Sequence, residues 1–97
     1  MSKIKNESTD FLFNAILTLK NLDECYAFFE DVCTIKEIQS ISQRFTVAQM
    51  LTEGKVYSDI VAETGASTAT ISRVNRSLNY GNDGYDMVFA RINETEE

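Results

Sequence analysis

The sequence predicts an all-α chain of about six helices. Apolar residues recur at three- and four-residue spacing, no segment alternates apolar with polar as a half-buried strand does, and the 97 residues contain no proline. With 43% apolar and 25% charged residues the chain has the balance of a globular protein, and its length fits one domain spanning 1–97, with flexible ends at 1–7 and 93–97.

The elements follow in order. After the loose residues 1–7, Ser8, Thr9 or Asp10 can cap a helix through Phe11–Lys20, whose Phe11, Leu12, Ala15, Ile16 and Leu19 form a wide stripe extended by Phe13 and Leu17. Asn21 or Asp23 opens a second helix through Glu24–Asp31, with Tyr26, Phe28 and Phe29 as bulky packing groups. Thr34-Ile-Lys-Glu37 has the form of a capping box. It starts a longer helix to Glu53, stopped by Gly54, with Ile35, Ile38, Ile41, Phe45, Ala48 and Leu51 expected inward. Gln39, Ser42, Gln43 and Arg44 then make an ordinary solvated face. Ser58 is the expected cap of the next helix. Beyond Asn79, the stretch Tyr80-Gly-Asn-Asp-Gly84 marks a turn, and a last helix over Tyr85–Ile92 offers Met87, Val88, Phe89 and Ile92.

Residues 60–79 hold the functional signal. Ile60 and Val61 lead to Gly65, which can end a helix in the left-handed conformation, and Ser67 or Thr68 can cap the next one. Ile71, Val74 and Leu78 follow as an apolar stripe that packs on Ile60 and Val61. At 100° per residue, Ala69, Ser72, Arg73 and Arg76 point away from that stripe. This is a helix-turn-helix whose second helix suits a DNA major groove, with Ser67, Thr68, Ala69, Ser72, Arg73 and Arg76 as candidate DNA-binding residues. A plain helix pair serving the core would give part of the same pattern.

Charge sharpens the choice. The net charge of −6 argues against a polyanion partner, but Thr64–Asn82 contains no Asp or Glu, the longest such gap in the chain. A competing reading is a protein-interaction module that docks through its helix-turn-helix on a larger regulator. It is favoured by the overall acidity and by Asp59 and Glu63, close to where phosphates would lie. Enzymatic chemistry is not expected, since there is no His, neither cysteine has a basic neighbour and no Gly-rich loop follows a strand. No metal site is expected either. Cys25 and Cys33 are too few for a disulfide scaffold and are read as reduced thiols in or near the core. Without a cleavable leader pattern or an eighteen-residue apolar run, the expected location is the cytoplasm, with no membrane partner. The apolar surface on the first helices exceeds what so small a domain can cover, which points to a homodimer built on those helices. Two recognition helices would then sit one DNA turn apart, roughly 34 Å.

Gly65-Ala-Ser-Thr-Ala-Thr-Ile-Ser-Arg-Val-Asn-Arg-Ser-Leu78 resembles the recognition-helix region of the Trp repressor family, in particular the Trp-repressor-related proteins of the YerC/YecD type. The likeness covers roughly residues 10–92, although the loop after Gly54 is one residue shorter, so 55–59 carry over poorly. It implies an intertwined all-helical homodimer that binds operator DNA as a transcriptional regulator, in the family's case a repressor. It also implies a ligand set, for L-tryptophan or another small-molecule corepressor. Arg44 and Arg73 match the arginines that embrace tryptophan, Thr34 and Thr70 match threonines, and Ser77 matches the amino-group contact. Val74 departs from the family's glycine. Its two methyl groups stand where an indole needs room, and overpacking of this kind costs about 1–3 kcal/mol. The expectation is therefore DNA binding without tryptophan, the pocket filled from within or adapted to another small molecule.

Overall fold

The computed structural model describes residues 2–96, and side chains through Glu94. It contains six helices: α1 (Glu7–Ile16), α2 (Leu22–Val32), α3 (Ile35–Thr52), α4 (Tyr57–Thr64), α5 (Thr68–Tyr80) and α6 (Gly84–Glu96). The backbone divides into two compact units, with the division between Ile38 and Gln39, inside α3.

In the first unit, local hydrogen bonds set the helix ends. The Thr9 N–H donates to Asn6 Oδ1 at 2.8 Å, so Asn6 caps α1 and not Ser8, Thr9 or Asp10. The helix also stops at Ile16, short of the expected Lys20. The N–H groups of Thr18 and Leu19 turn back three residues, to Ala15 and Ile16, and the Thr18 hydroxyl donates to the Ala15 carbonyl at 2.6 Å. Asn21 caps α2 by accepting from the Glu24 N–H at 2.9 Å. The capping box before α3 forms in both directions. The Thr34 N–H donates to Glu37 Oε1 at 2.8 Å and the Glu37 N–H to Thr34 Oγ1 at 3.1 Å. The Thr34 N–H first, and the Thr34 side chain after it, hydrogen-bond the exposed Glu37 carboxyl and hold it below its ordinary range. Neither α1 nor α2 contains a buried residue. Cys25 and Cys33 are free thiols, both half-buried.

The second unit has the core. Val47, Ala48 and Met50 of α3, Ile60 of α4, Ala66 of the turn, and Ile71 and Val74 of α5 are buried, with Leu51, Leu78, Tyr85 and Phe89 packed against them. Phe45, Tyr85 and Phe89 add an aromatic group, the Tyr85 and Phe89 rings stacking at 6.1 Å between centroids. Several inward assignments change here. Ile35 is 78% exposed and Ile41 and Phe45 are only partly covered, while Val47 and Met50, one face round, take the interior. On α4, Val61 is on the surface and Ile60 alone is buried. On α6 it is Tyr85 and Phe89 that meet the core, leaving Met87, Val88 and Ile92 outside.

Gly54, at φ +83°, closes α3 as expected, with the Lys55 N–H donating to the Met50 carbonyl at 3.0 Å. Ser58 does not cap α4. The helix begins two residues earlier than that cap implies, at Tyr57, which gives the cap position to Val56, a residue with no side-chain acceptor. The segment expected to fray continues as helix to Glu96, while Met1 and Glu97, which belong to the two ends expected to be flexible, lie outside the described residues.

Candidate nucleic-acid interface

Gly65 makes the turn possible. It sits at φ +73°, its N–H donates to the Val61 carbonyl at 2.9 Å, and α4 ends there in the left-handed conformation that suits a residue without Cβ. Thr64 holds the turn from inside. Its hydroxyl donates to the Ile60 carbonyl at 2.7 Å and accepts from the Ala66 N–H at 3.1 Å. Its own carbonyl accepts from Gln43 Nε2 at 3.2 Å. Gln43 is thus half-buried and ties α3 to the turn, a role that its place on a polar stripe of α3 did not reveal.

Ser67 starts α5, its Oγ accepting from the Thr70 N–H at 3.1 Å while its hydroxyl donates to Thr70 Oγ1 at 3.0 Å. Ile71 and Val74 are buried and anchor the helix from below. Ser67, Thr68, Ala69, Ser72, Arg73 and Arg76 are all exposed. Among the described residues neither Arg73 nor Arg76 has a carboxylate partner. With no acid between Thr64 and Asn82, their charge is not cancelled along α5. Of the α4 acids, Glu63 lines a shallow cleft with Gln39, Ser42, Gln43 and Thr46, which places it on the flank of α4 that faces α3.

The residues that the family resemblance assigned to a ligand separate into groups. Arg44, Arg73 and Ser77 line one cleft of about 200 Å³, together with Ile41, Phe45, Val74 and Tyr85. Thr70 is absent from its walls and takes part instead in the cap of α5. Thr34 belongs to the first unit, where its hydroxyl caps α3. The volume falls below the roughly 300 Å³ at which small-molecule sites usually begin. Among the described residues no group of three or more His, Cys, Asp or Glu side chains could hold a metal ion, and no helix is long and apolar enough to cross a membrane.

Two helices joined at a left-handed glycine, the second anchored by isoleucine and valine and bare of acid outside, define a helix-turn-helix protein. Residues 7–93 match the Trp repressor protein family, and the chain belongs to that family. It is 60% identical over 96 residues to YerC of Bacillus subtilis (strain 168), a protein of uncharacterised function, covering 99% of this chain and 92% of YerC. Its fold matches that of a TrpR-like protein from Eubacterium eligens ATCC 27750 with a TM-score of 0.91 and 68% identity, over 94% of each chain. A Staphylococcus aureus protein described as a candidate Trp repressor superposes with a TM-score of 0.90 at 57% identity, over 94% of this chain and 91% of that one.

Proposed function

We propose that the protein is a sequence-specific DNA-binding transcriptional regulator, a repressor by family, that acts as an intertwined homodimer. The observation that carries this reading is the outer face of α5, where Arg73 and Arg76 stand exposed and unneutralised beside Ser72 and Ala69, on a helix fixed from beneath by Ile71 and Val74. Ser67, Thr68, Ala69 and Ser72 face base edges, and the arginines reach bases or phosphates. The exposed apolar side chains of α1 and α2, among them Phe11 and Leu17, form the subunit contact.

Tryptophan is not the effector in this proposal. Val74 occupies the wall of the Arg44–Arg73–Ser77 cleft, and the space left is small for an indole. Selection of bound sequences from a random duplex library, with and without L-tryptophan, tests both statements. A single enriched palindrome in each arm supports them. Enrichment only with tryptophan overturns the second, and none in either arm overturns the first.

The alternative, docking on a larger regulator, draws support from Val56, Tyr57 and Val61, three exposed apolar residues on or beside α4. Absence of any affinity for random-sequence duplex in low salt would favour it.

A further inference from the structure

The arginine face of α5 ends in an aromatic ring. Tyr80 is the last residue of the helix and is 87% exposed. At 100° per residue it falls on the same side as Ala69, Arg73 and Arg76, one turn beyond Arg76 and opposite Ile71 and Leu78. No ring of the described residues packs on it. It also lies inside the acid-free stretch, so no carboxylate on α5 repels an anion from its hydroxyl.

Two further observations fix its place. The helix closes immediately after Tyr80, because Gly81 turns to an extended conformation at ψ −150° while its N–H still donates to the Ser77 carbonyl at 2.9 Å, a geometry in which a Cβ would collide with that carbonyl oxygen. Along the axis, Tyr80 stands about 16 Å beyond Ala69 at 1.5 Å per residue. The major groove is only about 12 Å wide. With α5 set end-on, its first turn against base edges, that length exceeds the groove and brings the last residue to the sugar-phosphate wall.

We infer that Tyr80 is a phosphate-contacting residue of the DNA interface, its phenolic O–H donating to a phosphodiester oxygen while Arg76, one turn back, supplies the charge. This rests on the DNA-binding reading above. A neutral donor adds affinity without releasing a counterion, which separates it from the arginine in measurement.

The experiment is fluorescence anisotropy of the full chain with a labelled random-sequence duplex across a potassium chloride series. Tyr80→Phe, Tyr80→Ala and Arg76→Ala are compared with wild type, and each is also sedimented. Tyr80→Phe should bind roughly tenfold more weakly at every salt concentration with the slope of log K against log salt unchanged. Arg76→Ala should flatten that slope by about 0.9 per subunit. Wild-type affinity in Tyr80→Phe overturns the inference and leaves the DNA reading standing. So does a Tyr80→Ala protein with an altered oligomeric state, which would put the ring in a subunit contact. No binding by the wild type overturns the DNA reading itself.

Discussion

The two units of the chain bury their apolar residues to different degrees. From Gln39 onward, Val47, Ala48, Ile60 and Ile71 are fully enclosed by neighbours of the same subunit. In α1 and α2 nothing is enclosed, and Phe11 and Leu17 are each 80% exposed. Side-chain caps start α1 and α2 in the first unit and α5 in the second, so the contrast does not come from local helix chemistry. It comes from where the apolar faces find partners. The second unit encloses a core of its own while still exposing Val56, Val61 and Met87, whereas the first encloses nothing, and the proposed homodimer supplies the missing cover.

The largest effect should come from breaking the first unit's surface. Phe11→Asp combined with Leu17→Asp removes two apolar groups per subunit, each worth about 1.5–3 kcal/mol when buried. The dimer dissociation constant should rise at least about a thousandfold in sedimentation. Wild type sedimenting as a monomer at micromolar concentration would remove the contrast's explanation. Next comes Ile71→Ala in the second unit, expected to cost about 2–5 kcal/mol in chemical denaturation because it opens a void between α4 and α5. Gly65→Ala should cost about 1–2 kcal/mol, purely through the positive φ, since nothing lies within 4 Å of the added Cβ. A cost near zero would mean that the turn relaxes. The smallest effect concerns Glu37. Its carboxyl titrates below the ordinary value of 4.5, chiefly because it accepts the Thr34 N–H. A folded-state pKa below the unfolded one stabilises above the unfolded value, and the gain is lost as pH falls through the folded value. Glu37→Gln should thus lower Tm slightly at pH near 7 and match wild type in acid, once the pH has fallen below the folded-state value. A difference that persists in acid would show that shape, not charge, is responsible.

The same contrast explains what the sequence revealed. Glycines and caps are local, and Gly54, Gly65, Asn21, Ser67 and the Thr34–Glu37 box could be read from neighbouring residues. The end of α1 could not, because Phe11 to Lys20 contains no glycine or other stop and the helix ends by tightening its own last turn. Nor could the inner face of α3. That helix has two apolar stripes, one through Ile35, Ile41 and Phe45 and one through Val47, Met50 and Leu51, and the periodicity alone does not say which of them meets the same subunit. On α5, the exposure of Arg73 and Arg76 was legible from their distance to Ile71. Gln43 was not, because a side-chain bond to a carbonyl twenty-one residues away leaves no mark on the spacing. Tyr80 was visible as a residue, but it reads as part of the following turn until the helix is seen to include it.

The bond from Gln43 to Thr64 has one more implication. With the α4–α5 corner pinned by a third helix and its floor closed by Ile60 and Ile71, the helix pair that we propose reads DNA is held from two sides. In a dimer that binds DNA as proposed, misfit in groove width or half-site phasing then falls on the nucleic acid, whose stiffness varies with base step. Base pairs midway between the two half-sites, untouched by any side chain, would then help to decide which promoters are occupied.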